Sequence, residues 1–247
     1  MKKKKPLLPW PDPDKYVLVT THEGSHWRRK RGTVKPASLN SAFKKNAGLI
    51  KIISPISKNI AERLSHFSNT MQPGRLLARI NARLIKNIND KGKIDFTGLQ
   101  GLEIQRKRPL SKFYTCQYLV SRQKNELCMT ITADQDQINL KPEPYITGFF
   151  FELVIVYGDP SDIKKLRVDS EMSDVYPITA HRDNKPVKKC RLSLQLPSKN
   201  LPWMMLLKFS LFEHGEAPAQ NKNFHAMAVV RTGNGPGDFE DKRFRPY

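Results

Sequence analysis

The sequence predicts an α+β protein, with a basic, mostly helical N-terminal region followed by a C-terminal antiparallel β-sandwich of seven or eight strands. Apolar residues recur at helical spacing before residue 90, and short β-prone runs follow Phe113. The charge is also divided unevenly. Residues 1–112 contain 25 Lys and Arg against 7 Asp and Glu, whereas residues 113–247 contain 18 against 16. The two halves are therefore expected to have different partners.

Changes in composition divide the chain into four parts. Residues 1–36 are a basic leader with one predicted strand, residues 37–108 a helical region, residues 109–233 the β-sandwich, and residues 234–247 a flexible tail. The predicted strand of the leader is the β-prone run Tyr16–Thr21. A chain of 247 residues is long enough to bury a sizeable core.

Two helices are predicted between Ser38 and Gly74. The first begins at Ser38, a suitable N-cap, and ends at Pro55, because proline lacks the N–H that continues a helix. The second runs from Ile56. Their apolar stripes are Leu39, Phe43, Ala47 and Ile50 in the first and Ile56, Ile60, Leu64 and Phe67 in the second.

A third helix is predicted to start near Pro73, a residue that suits a first helical turn. One side of it gathers the apolar residues Leu77, Ile80, Leu84 and Ile88, and the opposite side gathers Arg75, Arg79, Arg83 and Lys86. The apolar side is expected to pack on the other helices. The basic side is expected to present four cations to solvent.

The second half contains β-prone runs separated by turn-forming residues. The predicted strands are Tyr114–Val120, Leu127–Thr132, Thr147–Tyr157, Val175–His181, Cys190–Leu196, Trp203–Phe212 and Phe224–Arg231, with an eighth at Ile163–Val168. Residues Cys190–Leu196 alternate apolar and polar, which indicates a strand with one wet face. Residues Phe149–Val156 are apolar almost throughout, which indicates a central strand.

Composition favours a cytoplasmic protein that does not contact a membrane. No apolar run approaches the roughly 20 residues that span a bilayer, and the basic start lacks the apolar stretch of a signal peptide. Cys116, Cys128 and Cys190 are odd in number and form no close pair, so we expect reduced, buried thiols. No cofactor is expected.

The candidate binding residues are cations with aromatic residues among them. Clustered cations neutralise phosphates and release counterions, and a tryptophan beside arginines can stack on an unpaired base. The predicted nucleic-acid-binding residues are Trp27, Arg28, Arg29, Lys30, Arg31, Arg75, Arg79, Arg83, Lys86, Arg106, Lys107 and Arg108, and Lys2–Lys5 form a further basic group. A basic helix face can also bind an acidic protein partner.

The most specific sequence motif in the chain is one that binds zinc in metalloproteases. Residues His22–His26 read H-E-x-x-H, in which two imidazoles one helical turn apart hold zinc and the glutamate activates its water. The context argues against it, because the string follows a β-prone run, contains Gly24 and precedes four cations. No Asp, Glu, His or Cys occurs from Trp27 to Ala61 to supply a third ligand.

Residues 22–105 resemble small uncharacterised bacterial proteins of the Bacteroidetes type. The resemblance is carried by residues 22–36, by Leu39–Phe43 and by Leu99–Gln105. These correspond to a basic Gly/Arg segment, a helical middle and a closing leucine-rich segment. It implies that residues 22–105 form one unit, and it makes the zinc interpretation less favourable. It implies no activity.

The leading hypothesis is a non-enzymatic binding or assembly protein whose basic half contacts a polyanion, with nucleic acid as the expected ligand. The sandwich would make protein contacts or self-associate. One alternative is a structural component of a larger bacterial or phage-like particle. The other is a zinc-dependent hydrolase at His22, Glu23 and His26.

Overall fold

A computed structural model describes most of the chain. The described residues are 12–21, 24–30, 41–71, 73–91, 94–115, 117–139, 143, 145–178, 188–198, 200–213, 219 and 221–234. The chain divides into two compact units, Met1–Gly48 and Leu49–Tyr247. Arg31, Cys116 and the predicted basic group Lys2–Lys5 lie outside the described residues, as does the predicted tail after Asn234.

The first unit contains a two-stranded antiparallel hairpin. Strand β1 (Tyr16–Thr21) pairs with β2 (Gly24–Arg29) over their full lengths, from Tyr16 opposite Arg29 to Thr21 opposite Gly24. The predicted strand at Tyr16–Thr21 is confirmed. Strand β2 was not predicted, because Trp27 is its one strongly β-prone residue and the strand takes its conformation from pairing with β1.

The first two predicted helices are largely one continuous helix in the structure. Helix α1 (Ser41–Arg63) continues through Pro55, so the prediction that Pro55 ends a helix is wrong. An interior proline costs about 3 kcal/mol. Ile53, Ile56 and Ile60 on the same helix are almost fully buried, and each contributes about 1.5–3 kcal/mol, which outweighs that cost. The exposed position of Pro55 also keeps its ring away from the core.

Three further α-helices follow: α2 (Ser65–Ser68), α3 (Leu76–Lys91) and α4 (Leu110–Phe113). In α3 the buried residues Leu76, Ile80 and Leu84 face the core, whereas Leu77 is 42% exposed. The predicted apolar stripe of this helix is therefore correct at Ile80 and Leu84 and wrong at Leu77.

The second unit contains two antiparallel sheets. The five-stranded sheet has the order β10-β9-β5-β6, with β7 also paired to β5, and the three-stranded sheet has the order β3-β4-β8. Their strands are β3 (Tyr118–Gln123), β4 (Glu126–Ala133), β5 (Ile146–Tyr157), β6 (Arg167–Met172), β7 (Tyr176–Pro177), β8 (Lys188–Gln195), β9 (Trp203–Glu213) and β10 (His225–Gly233).

The central strands of the five-stranded sheet are buried on both faces. In β5, Phe151, Leu153 and Ile155 join a core shared with the three-stranded sheet. Val154 and Val156 join a second core with α1 and α3. Because neighbouring residues of a strand point to opposite faces, a strand covered on both sides needs apolar residues throughout. This explains the nearly continuous apolar runs in β5 and β9.

The predicted fold class is wrong. The described residues form ten strands in three antiparallel sheets and four α-helices, so the protein is mainly β and not α+β with a mostly helical first half. The leader contributes a sheet of its own. The helical stretch is brief, and α1 and α3 pack on the five-stranded sheet instead of forming a separate helical region. The sheet needs this cover because the outward residues of β5, β9 and β10 are apolar.

The edge of the five-stranded sheet at β10 is covered by residues 101–104. The N–H of Gly101 donates to the Val229 carbonyl at 2.8 Å, and the N–H of Ile104 donates to the Met227 carbonyl at 2.8 Å. Glu103 closes an isolated bridge with Ala228. This pairing occupies backbone groups that an open edge would expose.

One ion pair lies inside the sheet. Lys208 on β9 and Glu152 on β5 are directly opposite in the register, and Lys208 Nζ lies 2.9 Å from Glu152 Oε2. Each side chain is only 9% exposed. A pair removed from water in this way depends on both partners, because either charge alone would be buried without compensation.

We expect Lys208→Met to destabilise the protein by about 3–5 kcal/mol, because it leaves Glu152 buried and unpaired. Adding Glu152→Leu should restore most of the loss. Urea unfolding followed by circular dichroism measures both. As a control, Lys165→Met breaks the exposed Lys165–Asp162 pair and should change stability by less than about 1 kcal/mol. A double variant as unstable as Lys208→Met would contradict this account.

Candidate nucleic-acid interface

The hairpin of the first unit carries a dense group of cations. Lys15, Arg28, Arg29 and Lys30 are all exposed. Opposed residues of an antiparallel pair share a face, so Tyr16, Leu18, Trp27 and Arg29 lie on one face and Arg28 lies on the other. We call the first of these the aromatic face. The predicted residues Trp27, Arg28, Arg29 and Lys30 are thus brought together on one small sheet.

Arg29 is held against Tyr16 on the aromatic face. Its Nε donates to the Tyr16 hydroxyl at 3.3 Å, and its guanidinium carbon lies 5.9 Å from the centre of the ring. This distance is within the range of a cation–π contact. The hydrogen bond raises the pKa of Arg29, so the cation is maintained at any physiological pH.

Carboxylates offset little of this charge. Lys15 Nζ lies 2.9 Å from Asp12, and both side chains are largely exposed. The only other carboxylate in residues 12–30 that the structure describes is Asp14, which is also exposed. A surface pair of this kind contributes little and is screened by salt. Within the described residues 12–30, the four cations therefore outnumber the two carboxylates.

Helix α3 of the second unit carries the other predicted cations. Arg75, immediately before the helix, and Arg83 and Lys86 within it are exposed. In the described part of the chain no carboxylate forms an ion pair with any of the three. Residues 41–91 contain ten Lys and Arg but only Glu62 and Asp90 as acids. The exposed charge is therefore not neutralised from within the helices.

Arg79 behaves differently from its neighbours. Its guanidinium donates to the carbonyl oxygens of Pro73 and Ile104, each at 2.7 Å, and to that of Glu103. Burial lowers the pKa of Arg79, and the charge of Arg106 lowers it further. The prediction that α3 presents four cations to solvent therefore does not hold for Arg79, whose side chain joins the helix to residues 103–104.

The bonds of Arg79 to residues 103–104 bring two predicted groups of cations, the one on α3 and the one at residues 106–108, into the same region of the second unit. Arg106 is close enough to Arg79 for the two charges to repel, and Arg106 and Lys107 are exposed. Arg108 is half-buried and donates to the Asn223 carbonyl at 3.2 Å. We call the exposed cations of this region the α3 surface. It comprises Arg75, Arg83, Lys86, Arg106 and Lys107.

Sequence reasoning missed Lys15 and Tyr16 as members of the hairpin group. Both stand more than ten residues before the Trp27–Lys30 run, and only the antiparallel register places them beside it. The usable signal was the short gap between the two strands, which is typical of a hairpin.

The described residues do not provide the geometry that the zinc interpretation requires. His22 and Glu23 lie outside the described residues, and His26 is an exposed residue of strand β2 opposite Val19. His26 is therefore not on the helix that the motif requires. Within the described residues, no group of three His, Cys, Asp or Glu side chains is placed to hold a metal.

An open groove of about 400 Å³ lies elsewhere in the second unit. Its lining is Ile94, Asp95, Asp159, Pro160, Leu201, Pro202 and Asn234. The Asp95 carboxylate accepts from the N–H of Thr97 at 2.9 Å, and that of Asp159 accepts from the N–H of Ser161 at 2.9 Å. Both carboxylates thus cap local turns, which accounts for their presence without a ligand.

No protein-family model, curated protein or solved structure matches the chain. The resemblance of residues 22–105 to bacterial proteins therefore stays an expectation. Among the described helices, none combines the length and the hydrophobicity that crossing a bilayer requires.

The protonation of Glu103, which lies beside Arg79, provides a test of the region where α3 meets residues 103–104. Burial raises the pKa of Glu103 to about 7, although the Leu110 N–H, which donates to it at 2.9 Å, and the charge of Arg79 both act to lower the value. The folded state therefore holds this proton more tightly than the unfolded state does. Stability should fall as the pH rises from about 4.5 to about 7, by at most about 3 kcal/mol.

Glu103→Gln should remove this contribution and be more stable than the natural protein above pH 7. Urea unfolding at pH 5, 6, 7 and 8 measures the difference. Glu126→Gln, at a half-buried carboxyl on β4, is the matched control. An unchanged pH dependence in Glu103→Gln would show that Glu103 does not titrate in this range.

Proposed function

We propose that the protein is a non-enzymatic binding protein whose basic surfaces contact nucleic acid. The α3 surface carries this proposal, because its cations are exposed and no described carboxylate pairs with them. Cations in this state neutralise phosphates and release counterions, a source of affinity that does not depend on sequence.

The length of the α3 surface suits a phosphate backbone. From Arg75 to Lys86 the helix rises about 16 Å, at about 1.5 Å per residue. Phosphates of one DNA strand are spaced about 3.4 Å apart along the axis. The three exposed cations of this row, Arg75, Arg83 and Lys86, therefore extend far enough to contact several phosphates of one strand. Arg79 fixes the start of the helix that carries this row, because its guanidinium donates to the carbonyls of Pro73 and Ile104.

We also propose a cytoplasmic location, where nucleic acid is accessible in a bacterium. The thiols of Cys128 and Cys190 are free and buried, which is compatible with a reducing compartment. Contact with an acidic protein partner, self-association and a role in a larger particle are the competing outcomes of the experiment below.

The triple variant Arg75→Ala, Arg83→Ala and Lys86→Ala should bind a 20-base-pair duplex more weakly than the natural protein. Each lost phosphate contact reduces the slope of log K against log salt by about 0.9, so the slope should fall by about 2.7. Fluorescence anisotropy from 50 to 300 mM salt measures it. The control removes three exposed lysines of the other half, Lys164, Lys188 and Lys189.

Absence of binding at 50 mM salt, or equal slopes in the two triple variants, would contradict the proposal. Light scattering of the protein alone then tests self-association. A mass that grows with concentration would favour an assembly role over nucleic-acid binding.

A further inference from the structure

We propose that strand β1 of the hairpin pairs with β1 of a second copy of the chain, so that two hairpins form one four-stranded antiparallel sheet. Leu18 of one copy lies opposite Leu18 of the other in this arrangement. The inference goes beyond the proposed function, because it assigns a self-association surface that does not use the basic residues.

The outer edge of β1 presents backbone groups that β2 does not use. The N–H of Lys30 donates to the Lys15 carbonyl at 2.8 Å, which makes these two residues a hydrogen-bonded pair. Such pairs alternate along an antiparallel ladder, so the backbone groups of Tyr16, Leu18 and Thr20 point away from β2. The N–H of Tyr16 already donates to the Asp12 carbonyl at 3.0 Å. The available edge therefore runs from the carbonyl of Tyr16 to Thr20.

This edge is uncovered and strongly β-prone. Val17 is 39% exposed and Leu18 is 48% exposed, and neighbouring residues of a strand lie on opposite faces. Strand β1 consists of β-branched, aromatic and leucine residues, with no charge and no proline. An edge of this kind is a template for another strand. A two-stranded hairpin is at most marginally stable in water, and additional strands would stabilise it.

The sequence of β1 is complementary to itself in one antiparallel register. With Leu18 opposite Leu18 of the second copy, Val17 lies opposite Val19 and Tyr16 opposite Thr20, so every aliphatic residue meets another. The Leu18 N–H then donates to the Leu18 carbonyl of the second copy, and the Thr20 N–H to the Tyr16 carbonyl. Two-fold symmetry repeats both bonds. The neighbouring register, centred on Val19, would place Leu18 opposite Thr20 and lose this match.

The distribution of charge favours a second copy at β1. Two β1 strands meet without like charges in contact, because Tyr16–Thr21 contains no charged residue. Strand β2 contains Arg28 and Arg29, so pairing it with its own copy would oppose cations. In the sheet paired through β1, both β2 strands are outermost. A two-fold contact of this kind closes at two copies, unlike the open assembly of a larger particle.

The first test measures the mass of the full chain, treated with nuclease, by sedimentation velocity from about 5 to about 500 µM. Two paired strands bury less than a standard interface, so we expect a weak dimer that dissociates on dilution within this range. The dimer should not weaken between 50 and 300 mM salt, because no ion pair lies between the β1 strands. Association bridged by a bound polyanion would weaken with salt.

Leu18→Lys and Leu18→Glu test the register. Each variant alone places like charges directly opposite each other and loses the contact between leucines, so it should associate about 5-fold more weakly or worse. An equimolar mixture of the two should regain the dimer, because opposite charges then face each other. This recovery also shows that both variants are folded.

Ser25→Lys and Ser25→Glu are the matched controls. Ser25 is exposed and lies on the same face of the hairpin as Leu18, but on β2. In the proposed sheet it would be at least three strand spacings, or about 14 Å, from its copy. These variants should change the dissociation constant of the dimer by less than about 2-fold, since salt screens charges at that distance.

Amide exchange in the natural protein provides a readout that needs no variant. The Leu18 N–H is directed to the open edge in one copy and is bonded in the dimer, so its exchange should slow as the protein concentration rises. The Val19 N–H, which bonds to β2 within the hairpin, should change less.

A single copy at every concentration, or a natural dimer that both Leu18 variants leave intact, would overturn the proposal. A mixture of the two Leu18 variants that stays monomeric, or a mass that exceeds two copies, would also overturn it. The proposed function is judged separately, because these measurements contain no nucleic acid.

Discussion

The burial of β5, β9 and β10 on both faces is the constraint on which the second unit depends. Their alternate residues enter two separate cores, one closed by the three-stranded sheet and the other by α1 and α3. Removing either cover would expose a full row of apolar side chains to water. The helices are therefore required by the sheet, and their outer sides are the part of them that remains available to a partner.

Arg79 shows how one side chain connects this architecture to the basic surface. Its three bonds to backbone carbonyls join the first turn of α3 to residues 103–104, which themselves cover the edge of β10. The planar guanidinium suits this task because it donates in several fixed directions at once. The exposed cations Arg75 and Arg83, one turn to either side, are thus mounted on a helix that is tied to the sheet.

Local patterns in the sequence located much of the second half. The strict alternation after Cys190 and the apolar runs around Phe151 and Leu207 matched strands β8, β5 and β9, because burial on one or two faces leaves its own periodicity. Features set by pairing partners were missed. Strand β2 has no β-prone pattern, and α1 passes through Pro55 because isoleucines on both sides of it are buried. The inward role of Arg79 was also invisible, since the carbonyls that it contacts come from residues 103–104 as well as from Pro73.

The placement of cations along α3 is itself an argument for an external anion. Arg79 and Arg83 are four residues apart within the helix and Arg75 immediately precedes it, and like charges at a spacing of four destabilise a helix by a few tenths of a kcal/mol per pair. Cations that served only solubility would work as well when interspersed with carboxylates, which would also relieve the repulsion. Residues 41–91 hold ten cations and two acids, so the repulsion is left in place. A bound phosphate backbone would remove it, which couples binding to the stability of the helix.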